Sequence, residues 1–218
     1  MRETTGNSAE EVKLPSLEER KLPEFNAMQR VKRRLFAMRN GDLAQQMTEL
    51  GAKYRINFGL NLPQISEIAR DFLPGGVERE TLPDDIDMAD FARRLRDNVS
   101  TRESMLIAPM LFPVEQLTES EALAWARSVD NPEIADVLCL KLLRNYAEAS
   151  RLVEILIGDD SDLSRYVALR LAFNLLQLGK ILPEQLLPMV EQEEKSGCKM
   201  TASLCRQLRD EIDFLMEE

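Results

Sequence analysis

Short amphipathic stretches dominate this chain, and nearly every one stands between a residue type that starts a helix and one that stops it. Phe25, Met28, Val31, Leu35 and Met38 share one helical stripe that Asn40-Gly41 terminates, and Asp42 can cap a second helix ending at Gly51. Pro63 opens a third at its first position. Ser100-Thr101-Arg102-Glu103 and Thr118-Glu119-Ser120-Glu121 have capping-box spacing, in which a hydroxyl and a carboxylate each satisfy a free backbone amide. Asp130 or Asn131 before Pro132, Ser161 or Asp162 after Gly158, then Pro183, and Thr201 after Gly197 supply the later starts. The sum is about ten or eleven helices of roughly 10–16 residues joined by short loops, which makes neighbours antiparallel. Helix pairs recurring every ~40 residues are the pattern of an α-solenoid. The expected fold is therefore all-α, a HEAT-like helical repeat solenoid, with an irregular helical bundle as the alternative.

Two segments break the pattern. KYRINFGLNLP (53–63) reads as extended, and PGGVERETLPDD (74–85) is a loop. Helical patterning resumes directly after both, so residues 23–218 form one domain. Residues 1–22 are polar, aperiodic and contain Pro15, and read as a mobile N-terminal arm.

A chain of 218 residues can bury a core unaided. Cys139, Cys198 and Cys205 are odd in number and form no CxxC pair, which points to reduced thiols and a cytoplasmic location. No apolar run approaches the roughly 18 residues of a membrane span, and no signal-peptide pattern opens the chain, so no membrane association is expected. The absence of histidine excludes Ser-His and Cys-His catalysis and the HExxH metal site. Asp84, Asp85 and Asp87 precede a helix and suit its positive end rather than a metal, and Gly75-Gly76 lacks the context of a phosphate loop. No metal and no cofactor are expected; an enzyme built from this chain must work with carboxylates.

The net charge of −10 opposes binding to nucleic acid by charge alone. Residues 27–55, however, carry seven basic side chains against two acids. Arg30, Lys32, Arg33 and Arg34 form either a solvated helix face or a local surface for a polyanion.

With the helices placed, three segments resemble the DNA alkylation repair family of HEAT-like glycosylases. RINFGLNLPQISEIAR (55–70) is similar to that family's aromatic-Gly-aliphatic-x-x-Pro turn, with Phe58, Gly59, Leu60 and Pro63 in the matching places. RESMLIAPMLF resembles its Arg-Glu helix start at Arg102-Glu103, and WARSVDNPEIADVL (125–138) resembles its tryptophan segment ending in Ser128, Val129 and Asp130. The resemblance spans residues 24–215.

It implies hydrolysis of the N-glycosidic bond of positively charged alkylated purines in duplex DNA, by a monomer, without insertion of the base into a pocket. Asp130 would be the catalytic carboxylate, stabilising the oxocarbenium ion and orienting water. Trp125 would contact sugar or backbone. Arg165 or Arg170 would hold phosphate, and Arg30, Lys32, Arg33, Arg34 and Arg102 would give diffuse electrostatic help. The chain departs from the family in two places. Ala126 stands where the motif has a second tryptophan, and Ala168 where the phosphate-binding arginine aligns. Tyr166 or Phe173 would then have to serve as the aromatic clamp, if one exists. Capping alone would equally explain Asp130, and core packing Trp125. The alternative function is a catalytically inactive HEAT-like module that binds a protein on its concave face, or DNA without cutting it.

Overall fold

The computed structural model describes residues 26–217, so the expected arm at 1–22 lies outside the described residues. Within them the chain is all-helical. Eleven α-helices follow one another: α1 (Ala27–Met38), α2 (Gly41–Glu49), α3 (Leu62–Asp71), α4 (Met88–Asp97), α5 (Arg102–Leu111), α6 (Glu119–Arg127), α7 (Pro132–Lys141), α8 (Ala149–Leu156), α9 (Asp162–Gln177), α10 (Pro183–Ser196) and α11 (Ala202–Glu217). Three single 3-10 turns lie between them, one in the 74–85 loop at Arg79–Thr81. None of these helices is long and apolar enough to cross a membrane.

Packing alternates between two kinds of contact. Chain neighbours pair, α4 on α5, α8 on α9 and α10 on α11, while α3 packs on α5, α5 on α7, α7 on α9 and α9 on α11. Helices that touch partners on several sides are buried nearly all round, and any polar side chain on them must find a partner inside. Accordingly α5 buries every residue except Met110, and α9 buries Tyr166 through Leu169 and Leu171, Ala172, Leu175 and Leu176. The peripheral α1 buries only Ala27, Val31 and Leu35. Trp125 is among the largest fully buried side chains, stacked edge-on against Phe112 with ring centroids 5.3 Å apart. Cys139 and Cys205 are buried thiols and Cys198 is partly exposed.

The 53–63 segment is extended as expected, held by one parallel bridge from Ile56 to Thr101. Ile56 N–H donates to Ser100 O at 2.8 Å, and Arg102 N–H to Ile56 O at 3.1 Å. Gly59 has φ +70°, and a Cβ built on it would overlap the Asn40 carbonyl oxygen and crowd the Ala44 nitrogen. Only glycine permits that backbone-to-backbone approach. It seats the start of α2 on the extended segment, where Asn40 N–H donates to Phe58 O at 2.8 Å.

Several helix starts differ from the sequence expectation. Asn40, not Asp42, caps α2 through Leu43 N–H. The box at Ser100–Glu103 does not form: Thr101 is the N-cap without a side-chain bond, and Glu103 is drawn into the core. Half of the second box forms, with Thr118 accepting from Glu121 N–H at 3.2 Å, but the Glu121 carboxylate takes Arg93 instead, at 2.7 and 3.0 Å. A charged bidentate partner outcompetes a backbone amide.

Candidate functional site

The connection between α6 and α7 contains the motif aspartate. Ser128 closes α6, donating from its hydroxyl to Trp125 O at 2.9 Å. Asn131, with extended φ −160° and ψ 161°, then caps α7 by accepting from Ile134 N–H at 3.1 Å. Asp130 is therefore not the cap, a correction to the capping expectation. One of its carboxylate oxygens accepts from the Asn131 amide at 2.6 Å.

That amide is the first link of a chain leading into the core. Asn131 Nδ2 also donates to Tyr54 Oη at 2.7 Å, and Tyr54 O–H reaches Glu133 Oε2 at 3.4 Å. Glu133 is gripped by both arms of Arg102, whose Nη1 donates to Leu60 O at 2.9 Å and to Glu103 Oε1 at 3.0 Å. The fully buried Glu103 carboxylate accepts from Phe58 N–H at 3.1 Å and Leu60 N–H at 3.4 Å. Burial, followed by the charge of Glu133, pushes the Tyr54 phenol above its ordinary range, so it stays a neutral donor. Burial opposes the Arg102 charge, but the hydrogen bonds and charges of Glu133 and Glu103 outweigh it and leave the guanidinium firmly protonated.

Asp130, Asn131 and Glu133 line one side of a groove of about 580 Å³, and Leu50, Lys53 and Tyr54 the other. A concavity of about 610 Å³ beside α1 and α4 is slightly larger, but Asp85, Asp87 and Asp90 line it against Arg30 and Arg94. The Asp130 groove is the better candidate, because it joins the motif carboxylate to an oriented hydrogen-bond network.

The other expected site residues do not converge there. Trp125 is 2% exposed, edge-on to Phe112 and with the Arg96 guanidinium 5.0 Å from its ring; it packs in the core and lines a small cavity of about 120 Å³ with Ser128 and Val129, apart from the Asp130 groove. Arg102 serves the buried network. Arg165 is tied to Asp162 at 2.5 Å, to Glu193 at 3.2 Å and to the carbonyls of Asp159 and Asp160. Arg170 pairs with Asp136 at 2.8 Å, beside Tyr166, whose hydroxyl donates to the same carboxylate at 2.9 Å. Arg170 also lies 5.9 Å from the centroid of the Phe173 ring.

The basic stretch of α1 divides by face. Arg30 bonds Glu78 and Thr81, and Arg34 pairs with Asp71, so both tie α1 to the rest of the fold. Arg33 is exposed, and Lys32 sits 5.9 Å from the centroid of the exposed Phe36 ring. Ala126 and Ala168, where the resemblance expects tryptophan and arginine, are fully buried and leave no room for either.

Sequence reasoning missed Tyr54, Lys53 and Leu50. Tyr54 is 77 residues from Asn131, and its only signal was the extended character of 53–63. Among the described residues no cluster of histidine, cysteine or carboxylate side chains could hold a metal ion.

A family model described as DNA alkylation repair enzyme matches residues 31–197. No curated protein matches the chain, and no solved structure does.

Proposed function

The chain belongs to the DNA alkylation repair enzyme family, and on that premise we propose that it hydrolyses the N-glycosidic bond of N3- or N7-alkylated purines in duplex DNA, with Asp130 as the catalytic carboxylate. The succession α3, α5, α7, α9 and α11, each packed on the next, is read as the spine of a HEAT-like stack that presents the groove to DNA, acting as a monomer in the cytoplasm.

One observation carries the reading: Asn131 caps α7, so Asp130 is left at the groove with its carboxylate oriented rather than consumed. An alkylated purine is a cation and already a good leaving group. The bond from its ring nitrogen to C1′ breaks, the bonding pair leaves with the base, and positive charge develops on the sugar. A carboxylate beside that centre stabilises the charge and directs water to C1′. The proton released by water passes to solvent or to the carboxylate.

A second reading is binding without cleavage. It is favoured by the burial of Trp125, Ala126 and Ala168 and by the commitment of Arg165 and Arg170 to Glu193 and Asp136.

The test is release of free base from duplex DNA carrying N7-methylguanine or N3-methyladenine, under single-turnover, low-salt conditions. Release that falls 100-fold or so in Asp130→Asn, on the scale expected for loss of an electrostatic stabiliser, supports catalysis. Absence of release by the unmodified, folded protein rejects it in favour of binding alone.

A further inference from the structure

Along the outer stripe of α1, Lys32, Phe36 and Arg39 stand at i, i+4 and i+7, on one helix face with about a turn between successive side chains. The inner side of the helix fixes that orientation: Val31 and Leu35 enter the core, and Arg30 and Arg34 tie the helix to Glu78 and Asp71. Lys32 and Arg39 are exposed, and neither pairs with a carboxylate among the described residues. Phe36 is 45% exposed. It stands edge-on to Phe58, ring centroids 5.0 Å apart, and Phe58 is itself held through its backbone N–H by the buried Glu103 carboxylate. The Lys32 ammonium and the Arg39 guanidinium each lie 5.9 Å from the Phe36 centroid, at the outer limit of a cation–π contact, so they flank the ring without covering it.

Beside Phe58 lies a cavity of about 320 Å³ whose lining, Gln29, Lys32, Ile56, Asn98 and Ser104 among it, includes no carboxylate. The Asp130 groove and the concavity beside α1 and α4 are both lined by carboxylates. On a chain of net charge −10, a polyanion therefore meets less repulsion here than at either of them. In a family of DNA alkylation repair enzymes that polyanion is DNA. Cations alone would serve any form of it. A ring in water, with one cation a turn before it and another a turn after it, suits a strand whose bases are unpaired: the ring takes one base face to face while the cations hold the phosphates on either side. A duplex keeps its bases stacked on each other and would offer the ring only sugar and phosphate.

We propose that Lys32, Phe36 and Arg39 form a binding site for single-stranded DNA, Phe36 stacking on one base and the two cations holding the flanking phosphates. The site is separate from Asp130, needs no alkylated base and opens no base pair, so it goes beyond the glycosylase reading and does not rest on it. It also accounts for the basic character of α1 that is left once Arg30 and Arg34 are spent on the fold.

The full-length protein is titrated with a fluorescently labelled, undamaged oligothymidylate of about a dozen nucleotides, within the span of one single-strand site. Phe36→Ala is expected to weaken binding roughly 5- to 100-fold, the range for one lost base–aromatic stack. Lys32→Gln and Arg39→Gln should each lower the slope of log affinity against log salt by about 0.7. Circular dichroism verifies folding, and because Phe36→Ala uncovers Phe58, Phe36→Trp is the second probe. The chain's one tryptophan, Trp125, is buried, so the emission added at position 36 reports this site; it should be quenched on binding, with affinity kept.

The proposal is overturned by an unmodified protein that does not bind the strand, by affinity indifferent to Phe36, or by Phe36→Trp emission that is unchanged at saturation. A duplex of the same sequence bound with the same dependence on Phe36 overturns the choice of a single strand. Displacement of the strand by polyglutamate at equal charge concentration overturns it in favour of an acidic protein partner. Base release from alkylated duplex is scored separately. Single-strand binding without release supports this site and rejects the glycosylase reading, and release without single-strand binding does the reverse.

Discussion

Glu103 is fully buried, held between the Arg102 guanidinium on one side and the amides of Phe58 and Leu60 on the other. Removing one member of such a set strands the others in low dielectric, at a typical cost of about 3–5 kcal/mol. Glu103→Ala is therefore expected to destabilise the protein by about that much, read as a lowered urea midpoint. Asp130→Asn, at the exposed end of the same chain of bonds, should change stability by less than roughly 0.5 kcal/mol. At this scale the sequence was legible only where a motif spoke. It singled out Asp130 and Arg102-Glu103, and it placed the second correctly at a helix start but not in the buried ion pair it forms. It also offered five arginines as groups for DNA that the fold spends on Asp71, Glu78, Glu133, Asp136 and Glu193. Those partners lie 28 to 48 residues away, and no local pattern encodes them.

At the level of elements the reading was far more complete, because helix starts and stops are local chemistry. Proline at the first turns of α3, α7 and α10 and glycine after α2 and α10 mark boundaries that the structure reproduces within a residue or two. Where two residues are equally good caps, as Asp130 and Asn131 are, only the backbone decides, and the extended dihedrals of Asn131 settle it. Asn131→Ala is accordingly expected to cost about 1 kcal/mol from the cap. It also frees Tyr54 and Asp130, so base release should fall as well, whereas Asp130→Asn lowers release alone. Denaturation and single-turnover assays on the two variants separate a stability defect from a chemical one.

Over the whole molecule, inter-helical arginine–carboxylate pairs set the response to acid. Hydrogen bonding from Arg93 pulls Glu121 below the usual carboxylate range against the effect of burial, and Arg127 and Arg209 do the same to Asp159 and Glu194. A carboxyl whose folded-state affinity for protons is lowered favours the fold above its unfolded-state pKa, and the benefit disappears as pH falls through the folded value. With no histidine present, stability should be nearly flat between pH 6 and 8 and fall below about pH 4.5. Helical circular dichroism against pH checks this; the acid limb should shift toward neutral in 1 M salt, because most of these pairs are solvent-screened. Gly59 has a reach of a different kind. Backbone atoms, Asn40 O and Ala44 N, would meet any side chain added there. A side chain at Gly59 would thus have to part the extended segment from the start of α2, so this one crossing of two backbones ties the position of the Tyr54 side of the groove to a residue that has no side chain at all.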